Sequence, residues 1–188
     1  MLRRSNLFVI FVLGLGIIGT TAQAFETQAQ AAYVIDQQSG TVLLAKQAEV
    51  ALPPASMSKL MTLFMAFEAL RDGRLSWDEK LPVSSHAMSY GGSTMFLDTT
   101  DRVTVEDLVR GIIVLSGNDA CAVIAEALSI DGTEAGFATM MTERAKTLGM
   151  TNSVFANSSG WPDIKQRMSM KDLAVLAQHL ISDFPDQY

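Results

Sequence analysis

Apolar and polar positions alternate with different periods along this chain, and the periods predict its elements. Residues 33–35 and 42–44 are β-prone, and Asp36 to Gly40 between them supply turn chemistry, so a hairpin is expected. From Ser56 to Leu70 the run KLMTLFMAFEAL is apolar on nearly every face, interrupted by Thr62 and Glu68. Such a helix belongs inside a larger fold, and Gly73 is a suitable stop. Residues 81–102 lose helical period around Gly91-Gly92, which predicts an irregular loop. Thr104, with Asp107 three residues on, then caps the apolar-periodic stretch LVRGIIVLSGND. Further helices are expected over 120–128, over 136–148 and from Ser169 through LAVLAQHLI. No repeat, low-complexity tract or linker divides the chain.

One apolar stretch stands apart. Arg3-Arg4, the run from Leu7 to Gly19 and then Ala22-Gln23-Ala24 have the form of a signal peptide with a small-residue cleavage site. Residues 1–24 are therefore set aside from the fold, and residues 25–188 form one exported domain. Helices dominate after the first hairpin, and a hairpin is not stable alone. The expected class is α/β (α+β), with helices packed on an antiparallel sheet that is incomplete in this chain.

Composition narrows the chemistry. The formal charge is −6 without a basic run, which argues against nucleic-acid binding. The single cysteine, Cys121, lies at helical spacing among apolar neighbours and reads as a buried small hydrophobe rather than a reactive thiol. His86 and His179 are isolated, placed on the surface or on a helix face, so no metal or other cofactor is expected.

The stretch Pro54-Ala55-Ser56-Met57-Ser58-Lys59 carries the candidate reaction. Serine before an apolar run is an ordinary helix cap, but a capping box wants Glu or Gln where Lys59 stands, and a cation is disfavoured at a helix N-terminus. One helical turn places Lys59 on the face of Ser56, and the apolar run behind it disfavours its charged form. A neutral amine beside a hydroxyl is a base beside its nucleophile, and the helix N-terminus would favour a developing oxyanion. Ser116-Gly117-Asn118, between two helical stretches, adds a second hydroxyl to relay a proton and an amide to hold a peptide group. Taken alone, those three residues are turn formers.

Ser-x-x-Lys followed by Ser-x-Asn resembles the penicillin-recognising serine enzymes. The longer strings PPASMSKLMT, DLVRGIIVLSGNDAC and LGMTNSVFANSSGWP are similar to the D-alanyl-D-alanine carboxypeptidases among the low-molecular-mass penicillin-binding proteins. The resemblance implies a β-lactamase/transpeptidase-like fold. It also implies Ser56 as the acylated nucleophile, Lys59 as its general base, Ser116 as proton relay and Asn118 as a substrate-binding amide. The implied substrate is the D-Ala-D-Ala end of peptidoglycan stem peptides in the periplasm, with β-lactam antibiotics as inhibitors and no cofactor.

The third motif of that family, Lys-Thr-Gly, does not occur; the nearest string is Lys146-Thr147-Leu148. The expectation is an N-terminal fragment, short of the family's later strands, its small β domain and the amphipathic C-terminal anchor that would give membrane association. An inactive peptide-binding protein is the alternative from another class. Among enzymes, a class A β-lactamase needs a deacylating glutamate that does not stand out among Glu126, Glu134 and Glu143. A D,D-endopeptidase is not separable by sequence.

Overall fold

The computed structural model describes residues 26–188, so the expected signal peptide lies outside the described residues. Strands β1 (Ala32–Ile35) and β2 (Val42–Lys46) form the expected antiparallel hairpin, with Tyr33 opposite Ala45 and Val34 opposite Leu44. Asp36 closes the turn by accepting the Ser39 N–H at 2.7 Å and the Ser39 hydroxyl at 2.6 Å.

A 3₁₀ turn, Ala55–Ser58, leads into helix α1 (Lys59–Arg71). Met61, Phe64, Ala66 and Ala69 are fully or almost fully buried, as an all-round apolar helix requires. Helices α3 to α6 all pack against it. Burying side chains of the size of Phe64 or Met61 contributes about 1.5–3 kcal/mol each. The two polar interruptions of α1 prove to be tethers. Thr62 Oγ1 donates to the Ser158 carbonyl at 2.7 Å, and Glu68 takes a two-pronged ion pair from Arg144 at 2.6 and 3.1 Å.

The stretch expected to be an irregular loop is partly ordered. Strands β3 (Lys80–Pro82) and β4 (Arg102–Thr104) pair antiparallel at its two ends, and the short helix α2 (Ser85–Met88) sits inside it. Three-residue strands carry too little periodicity to show in sequence; Leu81, the only buried residue of β3, holds the pair to the core. Helix α3 (Val105–Leu115) begins as expected, with the Thr104 hydroxyl accepting the Asp107 N–H at 3.1 Å. Helices α4 (Asn118–Leu128), α5 (Glu134–Thr147) and α6 (Met170–Asp183) follow. Ser169 caps α6, and α6 packs across β1.

The described residues thus combine helices with two small antiparallel sheets, the mixed class expected. The chain between α5 and α6 folds back over the start of α1. Lys59 and Thr62 bond its Ser159 and Ser158 carbonyls, the bridge Leu52 to Met168 ties its end to the chain before the 3₁₀ turn, and the bridge Val154 to Arg167 closes the segment on itself.

Candidate active site

Ser56 does not cap α1, contrary to expectation. It is the second residue of the 3₁₀ turn, Ser58 takes the cap position, and neither residue's side chain makes a capping bond. The backbone explains the shift: Ala55 has φ +48°, which turns the chain sharply just before Ser56 and leaves the serine exposed. A left-handed alanine costs about 1–2 kcal/mol, and strain of this kind persists only where the surroundings hold it.

Lys59 is the first residue of α1 and only 4% exposed. Its Nζ donates to Ser56 Oγ at 3.1 Å and to the Ser159 carbonyl at 2.8 Å. Burial pushes its amine below the usual lysine range, and the neighbouring Cys121 opposes this in part. Cys121 is fully buried and its thiol is pushed far up by desolvation, in keeping with a small core hydrophobe. The serine and lysine singled out by sequence are therefore brought together, with the lysine held from its far side by a loop 100 residues away in sequence.

That loop approaches very closely. Asn157 Oδ1 accepts the Gly160 N–H at 2.8 Å, and Gly160 adopts φ +81°. A Cβ on Gly160 would lie 1.8 Å from the Ala55 carbonyl oxygen, so only glycine allows the loop to reach the Ser56 turn. Gln166, buried below, donates to Ser58 Oγ at 2.8 Å and accepts the Ala156 and Asn157 N–H groups. Beside the turn lies a cleft of about 400 Å³ lined by Pro53, Pro54, Trp161, Ile164 and Arg167 among others.

Ser116 ends α3 in the left-handed conformation (φ +57°), and Asn118 is the first residue of α4. Asn118 Nδ2 donates to the Gly91 carbonyl and its backbone N–H to the Ser93 carbonyl, both at 2.8 Å. Among the described residues no hydrogen bond joins Ser116 to Lys59.

Residues 18–188 match the peptidase S11 family, described as D-alanyl-D-alanine carboxypeptidase. The chain belongs to that family. The carboxypeptidase DacF of Bacillus subtilis is 38% identical over 154 residues, which cover 82% of this chain and 39% of that protein. The crystal structure of the carboxypeptidase DacD from Francisella tularensis superposes with a TM-score of 0.85 at 37% identity, over 88% of this chain and 40% of that one. Penicillin-binding protein D2 from Listeria monocytogenes, solved in its ampicillin-bound form, gives a TM-score of 0.74 at 34% identity, over 84% and 63% of the two chains. The S11 chain thus spans about two fifths of the length of the first two relatives.

Several residues that shape this candidate site carried no functional signal in sequence. Asp119, 1% exposed, accepts the Met95 N–H on both oxygens and the Leu97 N–H at 3.2 Å, which pins the 93–97 segment against α4. Tyr90 meets Trp161 edge to face at 5.8 Å beside Gly92. Glu134 is buried rather than solvated. His86 is exposed as expected, but it is not isolated, because its Nε2 lies 2.7 Å from Glu134. His179 is half-exposed on α6 and bonds Asp183 at 2.9 Å. First-turn acids and turn serines look alike in sequence whether they face solvent or protein, which is why Glu134 and Asp119 passed as ordinary.

Proposed function

We propose that this chain carries the nucleophile portion of a serine-type D-Ala-D-Ala carboxypeptidase site acting on peptidoglycan stem peptides. The observation that carries the reading is the 3.1 Å contact between the Ser56 hydroxyl and a buried lysine amine whose charged form is disfavoured. Neutral Lys59 takes the Ser56 proton as Oγ attacks the carbonyl of the penultimate D-alanine. The tetrahedral intermediate collapses, the C–N bond breaks, and the terminal D-alanine leaves as its amine receives a proton from Lys59 by way of Ser116. Water then hydrolyses the acyl ester. Asn118, whose Nδ2 is engaged by Gly91, offers Oδ1 to a substrate N–H. β-Lactams acylate the same serine and stay bound as the ester.

The reading includes export to the periplasm, with residues 1–24 as signal peptide and 25–188 as the peptidase portion. Among the described residues no helix is long and apolar enough to cross a membrane.

Intact mass spectrometry before and after incubation with benzylpenicillin tests the nucleophile. The expected result is a single adduct that maps to Ser56 and is absent from S56A. A folded chain that gains no adduct overturns the assignment. Release of D-alanine from a D-Ala-D-Ala peptide is measured separately, since the sequence holds no Lys-Thr-Gly. Acylation without release would favour the alternative of a peptide-binding protein that does not turn over.

A further inference from the structure

Glu134 is the first residue of α5, 6% exposed, and four donors converge on it. Oε1 accepts the Ser158 N–H at 2.9 Å and the Ser158 hydroxyl; Oε2 accepts the Tyr90 hydroxyl and faces His86 Nε2, each at 2.7 Å. Burial alone would raise its pKa, yet the bonds from Ser158, His86 and Tyr90 outweigh it and hold the carboxyl below the usual glutamate range. On the other side of the same short loop, the Ser158 carbonyl accepts Thr62 Oγ1 and the Ser159 carbonyl accepts Lys59 Nζ. One peptide segment therefore has its N–H on Glu134 and its carbonyls on α1.

We propose that Glu134 is a positioning residue for this site. Its carboxylate holds Ser158, and through the Ser158-Ser159 backbone it sets where Lys59 Nζ stands relative to Ser56 Oγ. Gly160 brings the loop into contact with the Ser56 turn, and Glu134 keeps it there. The proposal rests on the reading of Lys59 as base to Ser56, and it adds a residue from α5 to a site otherwise built on the 3₁₀ turn, α1, the end of α3, the start of α4 and the 157–160 loop. The titratable groups bonded to Glu134 are His86 from α2 and Tyr90 just after it; buried Cys121 of α4 couples electrostatically to both Glu134 and Lys59.

The test compares the full chain with E134Q and S158A, each checked for folding by circular dichroism. Two readouts are taken: the titration midpoint of Lys59, from ¹³Cε-lysine NMR, and the rate of Ser56 acylation by a fluorescent penicillin across pH. Loss of a nearby negative charge alone would lower the Lys59 midpoint. Release of the loop admits water to the amine and raises it, because burial is the largest cause of its depression.

The expected result for E134Q is a raised midpoint and acylation slowed by ~10–100-fold near neutral pH, the scale of a 1 Å misplacement. The rising limb of the pH–rate profile should move up with the midpoint. S158A keeps the charge and removes one donor, so it should shift both readouts in the same direction by less; it decides the matter if E134Q fails to fold. A folded E134Q or S158A with the Lys59 midpoint unchanged or lowered overturns the proposal, even if acylation falls. A raised midpoint in a chain that penicillin never acylates supports the positioning role and sinks the Ser56 assignment instead.

Discussion

Lys59 shows how one side chain can be legible in kind and not in state. A lysine one turn after a serine, at the wrong end of a helix for a cation, already asks for a reason. The structure supplies it: the amine is buried and held between a hydroxyl and a carbonyl. K59A should therefore slow penicillin acylation by ~10²–10⁴-fold, the usual contribution of a positioned base. The wild-type rate should rise with pH as Lys59 loses its proton, with a midpoint below the ordinary lysine value of 10.5. Stopped-flow acylation from pH 6 to 10 checks both; a flat profile would remove Lys59 as the base.

Among elements, the decisive pair is the 3₁₀ turn at Ala55–Ser58 and the loop at 157–160. The turn places Ser56 through a left-handed Ala55, and the loop fits against it only because residue 160 lacks a side chain. G160A sets a methyl group against the Ala55 carbonyl and imposes a left-handed alanine, at a cost of about 3 kcal/mol. For a chain of this size the melting temperature should fall by roughly 6–12 °C. Differential scanning calorimetry measures it, and an unchanged melting temperature would show that the loop can stand off the turn. In sequence, Asn157-Ser158-Ser159-Gly160 stood only within a family-like string. That string did not say that the loop closes on Lys59 and Glu134, because those contacts span 100 and 24 residues.

For the whole molecule, acid is the expected weak point. Glu134 gives up its proton more readily folded than unfolded, so its stabilisation is complete above about pH 4.5 and disappears as pH falls through its lower folded value. Urea midpoints should drop between pH 6 and pH 3, and E134Q should flatten part of that slope; parallel curves for the two proteins would contradict it. The apolar groove of Leu60, Leu63, Phe67, Ile113, Leu180 and Ile181, with Val114 and Leu115 exposed nearby, also belongs to this scale.

Local pattern by itself determined the hairpin, the longer helices, the buried Cys121 and the pairing of Ser56 with Lys59, since each depends on spacing within a turn or two. The family was legible for the same reason: its strings are contiguous. Tertiary structure alone decided that Ser56 sits in a 3₁₀ turn, that β3 pairs with β4, and that Asp119, Gln166 and Glu134 face inward. Burial and hydrogen-bond partners arise when distant segments meet, and a buried carboxylate in a first helical turn has the same sequence as a solvated one.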